Sequence, residues 1–278
     1  MEFSRAKLLV AAAAASVVMS AATSQAAKVE VIAHRGFSYV APENTLPAMR
    51  EAYKTGADGV ELDIHLTADR KVILSHDETT SRTTGGKTSL VIAETSASVL
   101  QKLDVGKWKN AKFAGEPMPL LDEMLAELPE GVRAFVEFKS GGDGAVEVRN
   151  VVEKSGKRGQ ITFISFGLDT ITAVKKTMPD RPAYWLRGTE KDKETGKVIP
   201  HGPDLIRQAK ERGLDGLDLG YAGITAEFVK EAKAAGLEVH AWTVNYADEA
   251  ARLRDIGVDS ITTDRPDMVL EVVRGKKQ

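Results

Sequence analysis

The chain has 278 residues, 42% of them hydrophobic, with 38 basic and 40 acidic side chains and a formal net charge of −2. Acids and bases are interspersed and form no basic stripe, which excludes a nucleic-acid binder that works through phosphate contacts. The sequence contains no cysteine, so disulfides and thiolate metal sites are excluded as well.

Taken in chain order, residues 1–26 stand apart. Arg5 and Lys7 precede an apolar stretch from Leu8 to Ala22, and Ser24-Gln25-Ala26 offers small residues for cleavage. This is the layout of a secretory signal peptide, short and alanine-rich for a membrane span. The expected product starts near Ala27 or Lys28, is periplasmic or secreted in a bacterium, and has no stable insertion in the membrane.

Apolar, β-rich runs follow at 29–33, 59–66, 72–75, 132–138, 161–165, 183–186, 216–219, 237–244 and 260–263. Helical patterns at 46–54, 120–127, 145–154, 169–177, 204–211, 226–234, 248–254 and 268–273 lie between many of them. Alternation of this kind predicts a parallel sheet, and eight helices over about 250 residues predict a (β/α)8 TIM barrel. Nine strands are one too many. The runs at 59–66 and 72–75 are joined only by Thr67-Ala68-Asp69-Arg70, too short for a parallel crossover, so either one of the two is a return arm or the pair is a local departure from strict alternation. Residues 78–118 lack long-range periodicity and read as an inserted subdomain, and 187–203, rich in charge, glycine and proline, read as a second excursion.

Chemistry concentrates at strand ends. In Val60-Glu61-Leu62-Asp63-Ile64-His65-Leu66 the apolar side chains share one face, and Glu61, Asp63 and His65 share the other. The apolar face suits the helical layer, so the acidic face points into the barrel, where two carboxylates this close need a cation. The pattern recurs in Phe135-Val136-Glu137-Phe138-Lys139. Glu61, Asp63 and Glu137 form a candidate oxygen-only site for a hard divalent cation, Ca²⁺ or Mg²⁺. His34 and His76 each follow a strand and can serve as general acid and base. Arg35 offers a bidentate fork for phosphate, and Gly36 is expected to relieve crowding beside it. Glu43 either charges the start of the first helix or orients Arg35 or His34, and Asn44 or Thr45 caps that helix. Trp242, on the strand that contains His240, either lines the pocket or packs in the core. Asp264-Arg265-Pro266 ends the barrel and starts the last helix.

His34-Arg35-Gly36, Pro42-Glu43-Asn44-Thr45, Glu61-Leu62-Asp63, His76-Asp77, Val136-Glu137-Phe138-Lys139 and Ala241-Trp242-Thr243-Val244-Asn245 occur in this order. With them, essentially the whole mature chain, 27–278, resembles the glycerophosphodiester phosphodiesterase family, a phospholipase C-like barrel. The resemblance implies a TIM barrel with an insertion at about 77–118. It implies hydrolysis of a small glycerophosphodiester substrate to sn-glycerol 3-phosphate and an alcohol. It also implies that Glu61, Asp63 and Glu137 are metal ligands, His34 and His76 the acid–base pair, and Arg35 and Lys139 phosphate contacts, with Glu43 in support and Trp242 lining the pocket. Two other readings compete. One is a phospholipase D- or C-like enzyme acting on intact lipids, which needs an apolar rim, and no strongly hydrophobic loop is legible near the mouth. The other is a non-catalytic periplasmic binding protein, which would not need two proton carriers.

Overall fold

The computed structural model describes residues 28–275, so the expected signal peptide at 1–26 lies outside the described residues. Eight parallel strands close on themselves: β1 (Glu30–Ala33), β2 (Gly59–Leu66), β4 (Arg133–Phe138), β5 (Ile161–Ser165), β6 (Ala183–Arg187), β9 (Gly216–Gly220), β10 (Glu238–Trp242) and β11 (Ser260–Thr263). β1 pairs with both β11 and β2, which completes the barrel. The remaining strand of this sheet, β3 (Val72–Leu74), runs antiparallel to β2 with Ile64 opposite Leu74. It is the expected return arm. The fold is a (β/α)8 TIM barrel.

The helices α1 (Leu46–Thr55), α3 (Leu121–Glu127), α4 (Ala145–Ser155), α5 (Leu168–Thr177), α6 (Pro203–Glu211), α7 (Ala226–Ala234), α8 (Ala247–Ile256) and α9 (Pro266–Arg274) form the outer layer. Strand alternation divides the core in two. Val60, Leu62, Val136, Phe163, Leu217 and Ile261 belong to the large cluster between sheet and helices. Ile32, Phe135, Ile164, Tyr184 and Leu186 form a smaller cluster inside the barrel.

The bottom of the barrel is filled by a polar network. Arg133 donates to Thr162 Oγ1 at 2.7 Å and to Tyr184 Oη at 3.2 Å, and the Tyr184 ring stacks on His240 at 4.1 Å. Tyr184 Oη donates in turn to Glu238. His240 therefore belongs to this plug, one inward position below Trp242 on β10.

The insertion packs Ile92, Leu100, Val105 and Met118 against Ile73 of β3 in a small separate core, with the short helix α2 (Ala97–Leu100). The second excursion contains a hairpin of β7 (Glu190–Lys191) and β8 (Val198–Ile199), which the sequence reading left without structure. Among the described residues, no helix is long and apolar enough to cross a membrane.

Candidate active site

The pleat of β2 and its register with β4 build the acidic cluster. Glu61 and Asp63 point inward from β2, and Asp63 is paired in register with Glu137 on β4. One oxygen from each of Glu61, Asp63 and Glu137 lies within 4.8 Å of the other two, and all three residues are buried. The protein holds one oxygen of each. The Arg35 backbone N–H donates to Glu61 Oε2 at 2.9 Å, Asn44 Nδ2 to Asp63 Oδ2 at 2.8 Å, and Lys139 Nζ to Glu137 Oε1 at 2.8 Å. Glu61 Oε1 and Asp63 Oδ1 are buried with no hydrogen-bond partner. Two orphaned carboxylate oxygens in an oxygen-only cluster fit a hard divalent cation, because a buried polar atom without a partner is costly and a cation removes that cost.

The electrostatics agree with this fit. Burial, with the like charges of Asp63 and Glu137 added, pushes the Glu61 carboxyl well above the carboxylate range. Burial and Asp63 push Glu137 up to about 7. Burial acts in the same direction on Asp63, but the Arg35 guanidinium and the Lys139 ammonium outweigh it and hold that carboxyl below its ordinary value.

Both candidate histidines are backed by an aspartate. His34 Nδ1 donates to Asp264 Oδ1 at 2.7 Å, and His76 Nδ1 donates to Asp77 Oδ1 at 2.8 Å. An ionised carboxylate only accepts, so each Nδ1 carries a proton and each Nε2 is free for proton transfer. Asp264 is fixed by Ser38 Oγ at 2.8 Å and by Asn245 Nδ2 at 2.6 Å. Burial would raise its pKa, but the hydrogen bond and charge of His34 hold the carboxyl far below its ordinary value.

Arg35 is placed by an unusual backbone. Its φ is +53°, and Gly36 follows at +79°. A Cβ at Gly36 would lie 2.5 Å from the Ala48 carbonyl carbon, so only glycine lets this turn pack on α1. The Arg35 guanidinium is held by Glu43 at 2.9 Å and by Asp63 at 3.1 Å. The helix cap is Thr45, whose hydroxyl accepts from Ala48 N, while Asn44 is spent on Asp63. From the insertion, Arg82 donates to both Glu43 oxygens at 2.7 Å and to Asp77 at 2.8 and 3.1 Å. One guanidinium thus links the partner of Arg35 to the partner of His76.

Among the sequence-derived candidates, His34, Arg35, Glu61, His76, Glu137, Lys139 and Trp242 line one cavity of about 100 Å³. Behind it, Glu43 accepts a hydrogen bond from Arg35 and Asp63 forms an ion pair with the same guanidinium. Trp242 donates its indole N–H to the Asp218 carbonyl at 3.1 Å and meets Phe166 edge-on at 5.4 Å, so it belongs to the cavity wall. His65 contacts the His76 carbonyl at 3.4 Å and does not line the cavity. Sequence reasoning missed Asp77, Arg82, Asn245 and Asp264 as supports, and Phe166 and Asp218 as lining. Two of these had a legible signal: Asp264 follows its strand as His34 follows β1, and Asp218 interrupts an apolar strand as Glu61 and Glu137 do.

Exposed apolar side chains gather at the same end of the barrel. Tyr39 follows β1, Phe166 follows β5, Val198 and Ile199 sit in the hairpin after β6, and Tyr246 follows β10. No single loop is strongly hydrophobic, as the sequence suggested, yet four loops each contribute to an apolar rim.

Fold and site together define a (β/α)8 barrel enzyme of the phosphoric diester hydrolase class. The model of the glycerophosphoryl diester phosphodiesterase family matches residues 34–268. A glycerophosphodiester phosphodiesterase of Caldanaerobacter subterraneus subsp. tengcongensis is 34% identical over 257 residues, covering 89% of this chain and 98% of its own. Glycerophosphodiester phosphodiesterase 1 of Bos taurus is 32% identical, covering 80% of this chain and 73% of its own. An Oleispira antarctica phosphodiesterase, solved in complex with the product sn-glycerol-3-phosphate, superposes with a TM-score of 0.79 at 25% identity, covering 88% of this chain and 97% of its own. The chain belongs to the glycerophosphoryl diester phosphodiesterase family.

Proposed function

We propose that this enzyme hydrolyses glycerophosphodiesters to sn-glycerol 3-phosphate and an alcohol, with His34 and His76 as its proton carriers and a divalent cation on Glu61, Asp63 and Glu137. The observation that carries the reading is the convergence of two aspartate-backed imidazoles, an orphaned carboxylate cluster and two fixed cations on one cavity. The product bound by the Oleispira relative names the same chemistry.

Arg35, held rigid by Glu43 and Asp63, presents a guanidinium to the phosphodiester oxygens. Lys139 adds a second positive charge; burial acts to lower its pKa, but Glu137 and Asp63 outweigh this and keep it protonated. Together they neutralise charge that grows on the phosphoryl oxygens in the transition state. One imidazole takes a proton at Nε2 from the nucleophile, either water or the neighbouring glycerol hydroxyl. The other enters the step as an imidazolium, with its second proton on Nε2, and gives that proton to the departing alcohol oxygen while its Nδ1–H stays on the aspartate. The cation, Ca²⁺ or Mg²⁺, supplies Lewis acidity toward the phosphate oxygens when bound.

The test is release of glycerol 3-phosphate from glycerophosphocholine, first in EDTA and then with Mg²⁺ or Ca²⁺ added. Release restored by either ion supports the reading. No release with either ion defeats it. The leader-like segment 1–26 supports an exported enzyme, which fractionation and N-terminal sequencing of the purified protein would test.

The apolar rim favours a second reading, in which the barrel accepts acylated glycerophosphodiesters at a lipid surface. Co-sedimentation with phosphatidylcholine vesicles and hydrolysis of lysophosphatidylcholine would support it. Activity confined to water-soluble diesters would exclude it.

A further inference from the structure

Asp218 lies on β9, across the barrel from the acidic cluster. β5 and β6 separate β9 from β4 on one side of the sheet. Its side chain is 1% exposed, lines the cavity, and its Oδ1 has no hydrogen-bond partner. It is not one of the carboxylates whose ligand atoms cluster within 4.8 Å, so it is not part of the proposed cation site. In register with Asp218, β6 carries the aliphatic Leu186, while β10 carries His240, whose imidazole is engaged by Ser260 and Glu238 and does not bond the carboxyl. An aliphatic side chain would have packed there at no desolvation cost. A buried carboxyl that finds no partner within the protein is rare and needs an explanation.

The cavity supplies one. The phosphate is claimed at the opposite wall by Arg35, Lys139 and the carboxylate cluster. What extends from the phosphate toward Asp218 passes between Ile164, Leu186 and Trp242, which suit the C–H faces of a short carbon chain. At the end of that path stands the Asp218 carboxyl, and Thr262 adds a hydroxyl to the cavity lining. Arg35 and Lys139 line the same small space and disfavour a second cation there, so a neutral hydroxyl suits the path better than the ammonium of a head group.

We propose that Asp218 anchors a free hydroxyl of the substrate's glycerol moiety and thereby sets a preference for polyol esters over deoxygenated ones. The inference rests on the phosphodiesterase reading above and adds to it the orientation of the substrate: glycerol inward on Asp218, and the alcohol outward toward Phe166 and the hairpin after β6. A carboxyl accepts from a hydroxyl whether it is protonated or ionised, so the assignment does not depend on its charge.

The experiment compares glycerophosphocholine with its two deoxy analogues, the phosphocholine esters of propane-1,2-diol and propane-1,3-diol. The wild-type enzyme is expected to favour the glycerol ester over at least one analogue by about tenfold to a hundredfold in kcat/KM, the range of one buried hydrogen bond. Asp218→Ala should lose that preference by slowing only on the glycerol ester, while Asp218→Asn, which still offers an acceptor, should keep most of it. A purely structural role would lower activity on all three substrates alike, and that result overturns the proposal. So does a preference that survives in Asp218→Ala, or a change in discrimination between choline and ethanolamine esters in place of the deoxy effect. Inhibition of the wild-type enzyme needs no variant: glycerol 3-phosphate should bind more tightly than at least one of the two propanediol phosphates, and equal binding of all three refutes the anchor. Wild-type protein inactive on every glycerophosphodiester would remove the activity reading itself. An active enzyme with an indifferent Asp218 removes only this inference.

Discussion

His34 Nδ1 and Asp264 Oδ1 stand 2.7 Å apart although 230 positions separate them in the chain. The contact exists because β1 and β11 are neighbours at the closure of the barrel, with Ala33 opposite Thr263 in register. The residue after each strand therefore projects at the same height. The first strand supplies an imidazole and the last strand supplies the carboxylate that orients it.

This pairing gives a graded expectation. His34→Ala and His76→Ala should each lower kcat by about a hundredfold or more, the usual worth of a positioned acid or base. Asp264→Asn keeps the shape but permits the wrong tautomer, and should cost about tenfold or more in kcat with little change in KM. Steady-state kinetics on glycerophosphocholine decides the matter; near-normal turnover in both histidine variants sinks the assignment.

Arg82 should behave as a positioning residue. Its guanidinium holds Glu43 and Asp77 together, and through them Arg35 and His76. Arg82→Ala should reduce kcat/KM by about tenfold to a hundredfold, as expected for loss of charge-assisted hydrogen bonds. Arg82→Lys keeps the charge without the fork and should recover only part of the loss. Unchanged kinetics in Arg82→Ala would show that the insertion does not brace the site.

The acidic cluster predicts a pH-dependent response to metal. Burial and Asp63 bring the folded-state value of Glu137 to about 7, and burial and Glu137 bring Asp218 to about 8. Ordinary values are about 4.3 and 3.9. A raised folded value means that the native state binds the extra proton. The stabilisation is therefore complete below about pH 4 and is lost as pH rises through 7 for Glu137 and 8 for Asp218. In EDTA the melting temperature should fall across this window. A divalent ion offsets the repulsion among Glu61, Asp63 and Glu137, so Mg²⁺ or Ca²⁺ should raise the melting temperature more at pH 8 than at pH 5. Thermal scans at both pH values check this, and an equal metal effect at the two would contradict it.

Gly36→Ala should destabilise the fold as well as the site. The residue sits at φ +79°, with Ala48 backbone atoms where a Cβ would go. The strain of a left-handed non-glycine residue costs about 1–3 kcal/mol before the clash is counted. A fall of about 5 °C or more in melting temperature is expected, at about 2–4 °C per kcal/mol for a domain of this size. A variant that melts with the wild type would mean that the β1–α1 turn can move off Ala48.

Strand and helix alternation, the return arm at β3 and the inward face of Glu61 and Asp63 were legible in the sequence, because each follows from a local period or a connection length. The pleat of a strand is set by two-residue alternation alone, so the acidic face of β2 could be read with no knowledge of β4. Residues joined by closure of the barrel were not legible in the same way. Asp264 read as the end of a strand, Arg82 as part of an irregular loop and Asn245 as the tail of a motif, because their partners are chosen by three-dimensional proximity and leave no local pattern. The apolar rim was hidden for the same reason, since its members come one or two at a time from four loops. By itself the sequence determined the barrel, the side chains that carry the chemistry and the strand face each occupies. Only the tertiary structure decided which oxygen is left free, which carboxylate stands behind each imidazole and which wall of the cavity lacks a partner, because those depend on the register in which eight strands meet.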